Sequence, residues 1–430
     1  MNIAASFPRI SGRARQVLRP LTVVLITAAV VYTAVRFVVG PGGVVYHIDF
    51  DVYRSGGHAV LDSVPLYQGS FRVGGITLPF TYPPLSAVTF VPLALMPLWL
   101  GEVVFTVVSV VALLLTAVIT LRSLSRESGD ILPRHRLWTT AAVVTAAGVF
   151  AWPVVSTLEY GQINIVLMLL VAADLLLPRT PWPRGMLVGL AAALKLTPAV
   201  FGLFFLLRRQ WKDAATSVIS GLAFTALAWV ILPADSLRYW TETVSDPTRI
   251  GGLMYSANQS WRGAVARFTD DPLQTRIWVT LAVVTVVAVT VVMYRQLSVG
   301  ATTAAVCTNA LLGLLASPVS WAHHWVWVVP MAVVAVASAC RAGTGQVRRA
   351  AVFLAVVVTV VPVLLVVHTW FPSTHDVERT WSVAMKILGS ELVLTGVCWL
   401  VIGGLLPRAT RPAPRADART EPGAAPVPST

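Results

Sequence analysis

Two aspartates, Asp49 and Asp51, stand two residues apart in the run HIDFDVYRSGG, and with Asp62 they sit among aromatic residues, glycines and prolines over 46–85, between long apolar runs. A carboxylate in such surroundings is suited to abstracting a proton. Further along come groups able to hold an anion: Lys195 in the middle of RGMLVGLAAALKLTPAVFGLFFLLRR, Arg262 in NQSWRG beside Asn258 and Gln259, and His323 with His324 in SPVSWAHHWVW. Glu159, Gln162 and Asn164 lie in EYGQIN, and Tyr82 precedes Pro83-Pro84.

Each of these residues also has a plainer reading. Asp49 and Asp51 read equally as hydrated loop acids, Gln162 and Asn164 as hydrogen-bond glue between helices, the histidines as part of an aromatic belt with Trp321, Trp325 and Trp327, and Arg262 as a loop cation. Lys195 is the hardest to dismiss. It is centred in a run too short for two full spans with arginine at both ends, so its side chain has no short route to the inner face. The constellation carries more weight than any member.

The elements that must position these residues are membrane helices. The chain is 56% hydrophobic and 12% charged, with mean hydropathy +0.74, whereas a soluble domain is about a quarter charged. Apolar runs close to the length needed to cross hydrocarbon recur throughout, which predicts an all-α, polytopic membrane protein of about 11–13 membrane segments and excludes a soluble multidomain one. The net charge of +13 is spread in short clusters between those runs. That is the pattern of the positive-inside rule, not of a nucleic-acid surface. Cys307, Cys340 and Cys398 lack metal-ligand spacing, so neither a disulfide nor a metal site is expected.

Charge placement gives an order of crossings. A basic arm, 1–18, is expected in the cytoplasm, followed by an uncleaved first helix over 20–39 and a first outer loop over 40–84. Within that loop 51–62 is expected as a short interfacial helix, with Tyr53 and Tyr67 at headgroup level. Next come a short or re-entrant helix over 85–97, a span over 101–121, a basic inner loop with Arg122, Arg126, Arg134 and Arg136, and spans over 137–152 and 163–177. The Lys195 segment reads as a broken hairpin with the lysine at its outer tip, and irregular backbone at that depth is tolerated only against protein or a polar cavity. Spans over 213–232, 276–294, 301–316, 324–340, 350–368 and 387–406 complete the 19–406 membrane domain, with a long outer loop over 233–275. A Pro, Ala, Arg and Thr-rich cytoplasmic tail, 407–430, is expected to be disordered. On this arrangement every unusual polar group named above falls at the outer leaflet of the plasma membrane, and both termini are inside.

The ordered set DFDVYRSGG, LPFTYPPL, EYGQINIVLMLLVAADL, GLAAALKLTP, NQSWRG and SPVSWAHHWVW resembles glycosyltransferase family 87, in the GT-C class, and especially its actinobacterial polyprenol-phosphate-mannose-dependent α-1,2-mannosyltransferases. The resemblance covers nearly all of 20–406. It implies transfer of mannose, with inversion, from a lipid-linked donor, polyprenyl-phosphate-mannose, to a hydroxyl of a mannolipid acceptor (a phosphatidylinositol mannoside, lipomannan or lipoarabinomannan). It also implies an essential aspartate in the first outer loop. The Asp-x-x-Val-Tyr pattern puts that role, general base, on Asp49, with Asp51 the second choice. Lys195, Arg262, His323 and His324 are then candidates for the donor phosphate, and Tyr82 for the acceptor entrance. No cofactor is expected, and no metal is required. Two other readings stay open: a GT-C enzyme for another polyprenyl-phosphate sugar, and a lipid or sugar transporter or flippase, whose broken helices also carry buried charges.

Overall fold

The structure, a computed structural model, describes residues 12–404 apart from 41–42, 247–248, 250, 271, 341–345 and 374–375. Helix α1 (Gly12–Phe37) runs straight through most of the expected arm and the first span. Residues 1–11 of that arm and the tail 407–430 lie outside the described residues. A two-residue ribbon, β1 (Val39–Gly40) with β2 (Gly43–Val44), leads to α2 (Ile48–Leu61). A second ribbon pairs β3 (Phe71–Val73) antiparallel with β4 (Ile76–Leu78). Then come α3 (Pro84–Ala94), α4 (Leu98–Ser128), α5 (Arg134–Gly148), α6 (Trp152–Tyr160), α7 (Asn164–Leu176) and α8 (Met186–Leu194). A 3₁₀ turn over Thr197–Phe201 joins α8 to α9 (Gly202–Leu207), followed by α10 (Trp211–Ile231), α11 (Pro233–Thr241), α12 (Trp261–Ala266), α13 (Leu273–Ser298) and α14 (Thr302–Ala316). A 3₁₀ segment, Ala322–Trp327, leads into α15 (Val328–Cys340), and α16 (Gln346–Leu365), α17 (Val383–Leu388) and α18 (Glu391–Gly403) end the described chain.

This is an all-helical, multi-pass membrane protein. Among the described residues, five helices are long and apolar enough to cross a membrane, α5 and α6 together make a sixth candidate bent by 76°, and six further apolar helices are shorter than a span. The expected 11–13 segments are matched only by counting those short pieces. A 13-residue helix such as α7 covers about 20 Å of a core roughly 30 Å thick. Proline accounts for the breaks at several points: Pro153 opens α6, Pro97 precedes α4, and Pro198 follows Lys195, each lacking the amide that would continue a preceding helix.

Several expected boundaries move. The span over 101–121 extends through Arg122 and Arg126 as α4, and α5 begins at Arg134, so all four arginines of the expected basic loop are helical. The span over 387–406 is split at Gly389–Ser390 into α17 and α18. The long outer loop holds α11 and α12. In the first outer loop the helix starts at Ile48 rather than 51, which brings Asp49 into its first turn. Tyr53 and Tyr67 are fully buried instead of reaching headgroup level. The reason is local packing. Gly56 and Gly57 let α2 close on its neighbours, Tyr53 stacks on Phe90 of α3 with ring centroids 4.4 Å apart, and Tyr67 donates a 2.7 Å hydrogen bond to the Tyr82 carbonyl.

That packing leaves no room at Gly57. A Cβ there would sit 2.9 Å from the Ala94 Cβ and 3.0 Å from the Phe90 carbonyl, so α3 would have to retreat. Gly57→Ala is expected to cost about 1–3 kcal/mol and lower the thermal midpoint in detergent. Gly202→Ala, where nothing lies within 4 Å, is the control expected to leave it unchanged.

Candidate active site

Helix α2 aims its first turn at the junction of α6 and α7, and its negative charges there suit a helix N-terminus. Asp49 and Tyr53 are one turn apart on one face. The junction turns sharply because Gly161 adopts φ +69°, and a Cβ at that position would lie 2.6 Å from the Phe50 Cβ. His47 locks the approach. Its ring nitrogens lie 2.9 Å from the carbonyls of Phe37 and Glu159, and its amide donates to buried Glu102 at 2.9 Å.

The Gln162 side chain is the centre of what results. Its Nε2 donates to Asp49 Oδ2 at 2.7 Å and to the Tyr82 hydroxyl at 3.1 Å. Its Oε1 accepts from the Tyr53 hydroxyl at 3.1 Å. Beside this group Lys195 stands in the break after α8. Its Nζ donates to Asn164 Oδ1 at 2.9 Å and to His324 Nε2 at 3.1 Å, and it lies 5.5 Å from the centre of the Tyr82 ring. An ammonium has only protons to give, so His324 Nε2 is the acceptor. Asn164 in turn donates to the His323 carbonyl at 3.0 Å, as Thr157 does at 2.9 Å. The His323 ring packs 4.9 Å from that of His324, and its Nε2 is buried without a partner.

A half-open cavity begins at Lys195, Asn164 and His324 and continues over apolar side chains including Leu167, Phe201, Leu314 and Trp327. It has a charged mouth and an apolar floor. Such a shape suits a polar head joined to a hydrocarbon chain.

Helix α2 is not a membrane span, and burial pushes the Asp49 carboxyl up to about 6, while the Gln162 hydrogen bond and the Lys195 charge both pull it down. A carboxylate in that range is ionised at neutral pH yet basic enough to take a proton.

The remaining expected site residues go elsewhere. Asp51 points away from Gln162 and accepts from the Tyr46 hydroxyl at 2.9 Å. Glu159 pairs with Arg36 at 2.6 Å. Asn258 and Gln259 are wholly buried, and their amides are consumed by main-chain partners: Leu253, Pro318 and Ser320 for Asn258, and Ser256, Gly389 and Leu392 for Gln259. They are scaffold rather than substrate ligands. Arg262 rests over the Trp278 ring at 4.9 Å. Thr157 was not singled out from sequence, and Tyr53 was expected at the headgroups rather than beside Asp49; the i, i+4 spacing of Tyr53 from Asp49 was the available signal. Among the described residues no group of three or more His, Cys, Asp or Glu is placed to hold a metal ion.

Comparison with known proteins bears on the same elements. The model of glycosyltransferase family 87 matches residues 80–318. The chain is 40% identical, over 93% of its length and 92% of the other, to a polyprenol-phosphate-mannose-dependent alpha-(1-2)-phosphatidylinositol mannoside mannosyltransferase of Mycolicibacterium smegmatis. It is 41% identical to a Mycobacterium tuberculosis protein of the same description, over 76% of this chain and 78% of that one. To the M. smegmatis polyprenol-phosphate-mannose-dependent alpha-(1-2)-phosphatidylinositol pentamannoside mannosyltransferase it is 34% identical, over 75% and 76%.

The raised Asp49 predicts a pH dependence with a definite sign. Turnover that needs the carboxylate rises with pH through an acid limb near 6 and then levels. Because the Gln162 hydrogen bond lowers the Asp49 value, Gln162→Leu is expected to move that limb to higher pH as well as slow the plateau rate. A pH–rate profile of the two proteins reads this directly; an unmoved limb would detach Asp49 from the titration.

Proposed function

Since the chain belongs to glycosyltransferase family 87, we propose that it transfers mannose from polyprenyl-phosphate-mannose to a hydroxyl of a phosphatidylinositol mannoside or related lipid-anchored mannoside, forming α-1,2 linkages with inversion at the outer face of the plasma membrane. The observation that carries this reading is the half-buried Asp49 carboxylate, held by Gln162 and near enough to Lys195 to feel its charge, beside an apolar cavity that Lys195 lines.

The step is a single displacement. The acceptor hydroxyl oxygen attacks C1 of the β-linked mannosyl group as its proton passes to Asp49, and the bond from C1 to the phosphate oxygen breaks, its electron pair leaving with the lipid phosphate. Gln162 holds one carboxylate oxygen and leaves the other for the proton. A positioned base of this kind contributes roughly 10²- to 10⁴-fold. Negative charge on the departing phosphate is met by Lys195, which the neutral acceptors Asn164 and His324 hold in place without cancelling its charge. The polyprenyl chain occupies the apolar part of the cavity.

Placement outside is supported by the positive-inside rule applied to the Arg122–Arg136 and Arg179–Arg184 clusters, which lie at the opposite ends of α4, α5 and α7 from Asp49, Gln162 and Asn164. A carrier reading is less well supported. Alternating access calls for a site reachable from both sides, and the polar groups here gather at one end of the helices.

The test is mannosyl transfer by the purified protein from polyprenyl-phosphate-mannose to a phosphatidylinositol mannoside. Asp49→Asn is expected to lower turnover by roughly 10²-fold or more with donor binding retained, and Asp51→Asn by much less. Equal losses in both variants would remove Asp49 from the role of base. A folded wild-type protein that transfers to no mannolipid would overturn the reading.

A further inference from the structure

A second crevice lies on the other side of α3, bounded by Pro83 and Pro84, by Ala193 of α8, by Ala228 of α10, and by Ser236 and Trp240 of α11. The last two are four residues apart and so share one face of their helix. Ser236 is wholly inaccessible and its hydroxyl has no partner, and the indole Nε1 of Trp240 is likewise buried and unpartnered. The crevice is too narrow in this conformation to admit a water molecule. A dry donor left unpaired costs about 1–3 kcal/mol, and two of them facing one apolar crevice mark a place where a ligand brings acceptors.

The surroundings narrow that ligand. An indole N–H only donates, so the ligand presents oxygen acceptors. The other walls are Pro83, Pro84, Leu85, Ala193 and Ala228, with Thr225 adding one further hydroxyl, and the adjoining outer end of α10 exposes Leu227, Val230 and Ile231, within a helix long and apolar enough to span the membrane. An amphiphile whose ester or phosphodiester oxygens sit at the root of hydrocarbon chains satisfies both conditions. The crevice is also tied to the active site. Pro83 follows Tyr82, whose hydroxyl accepts from Gln162, and Ala193 lies two residues before Lys195. The Ser86 hydroxyl donates to the Leu194 carbonyl at 2.5 Å, closing the seam of α3 and α8 between the crevice and the Lys195 cavity.

We propose that this crevice binds the glycerolipid part of the acceptor, so that donor and acceptor lipids enter on opposite sides of the α3–α8 seam and meet at Asp49. The assignment rests on the mannolipid acceptor proposed above. Leu232, which interrupts the helical path between α10 and α11 with φ −131° and ψ 66°, is the joint about which α11 moves to admit the lipid.

Two measurements test it. In the first, Ser236→Ala/Trp240→Phe and, separately, the crevice-filling Ala193→Trp are compared with wild type on two acceptors, a phosphatidylinositol mannoside and a short alkyl mannoside without glycerolipid. The expected result is a fall of about 5- to 30-fold in the preference for the glycerolipid acceptor, carried by its KM, with the KM for the donor unmoved. Equal losses on both acceptors, or none on either, would overturn the proposal. In the second, photoactivatable phosphatidylinositol is cross-linked to the protein without donor. Labelling between residues 225 and 240 that Ala193→Trp abolishes supports the crevice even if no mannolipid is mannosylated, and absence of such labelling in wild type counts against it whatever the transfer assay gives.

Discussion

A carboxylate withdrawn from water has to be met by a donor that cannot turn away, and at Asp49 that donor is the Gln162 amide. The amide is fixed from three directions, since Nε2 serves Asp49 and the Tyr82 hydroxyl while Oε1 receives the Tyr53 hydroxyl. Rotating it by half a turn would set its carbonyl against the carboxylate and its NH₂ against a hydroxyl already oriented as a donor. Asp49 and Tyr53 belong to the same face of α2, so one helix both presents the acid and blocks the flip. Everything nearby serves this contact: the left-handed Gly161 that swings Gln162 inward, the His47 ring wedged between the ends of α1 and α6, and the two glycines that let α2 settle on α3.

The cation opposite is held by a different device. Lys195 is the first residue beyond α8, extended at φ −152° and ψ 124°, with Pro198 close behind to prevent the helix from continuing. The broken helix leaves its ammonium facing the interior, where its hydrogen bonds go to neutral acceptors and the Asp49 carboxylate lies near enough for the two charges to interact. Asn164 is shared between the ammonium and the His323 carbonyl, so the loop bearing both histidines is registered against the start of α7 by one amide. Away from this region the buried Arg267 does comparable work for the outer loop. It reaches the carbonyls of Met254, Tyr255, Ser256, Asn258 and Gly389 and the Ser390 hydroxyl, joining the segment before α12 to the break between α17 and α18.

The helical membrane class was legible because composition and apolar run length are properties of the chain that no packing can alter. Lys195 was legible for a related reason: a lysine centred between arginine-flanked ends has nowhere else to put its charge. Asp49 and Asp51 are harder to separate, since two residues apart on a helix means roughly 200° of rotation, and only the direction in which α2 packs decides which of them meets Gln162. Asn258 and Gln259 look like ligands in a polar outer loop, but a loop folded back into the interior must satisfy its own carbonyls and amides, and these side chains are spent doing so. Arg267 went unnoticed because a buried arginine and a solvated one are spelled the same way. Tyr53 and Tyr67 were placed at the headgroups on residue type alone, where glycine-mediated closeness of α2 to its neighbours left no path outward.

The clustered polar groups proposed as the site come from widely separated parts of the chain: Asp49 from α2, Tyr82 from before α3, Gln162 and Asn164 from around the start of α7, Lys195 from after α8, and His324 from before α15. During synthesis the first of these crosses into the membrane long before the last has been made. A growing chain therefore carries Lys195 before its histidine partner, His324, has been made. The group that holds Lys195 from the far side is thus supplied by the last third of the chain, so a truncation before residue 324 removes it.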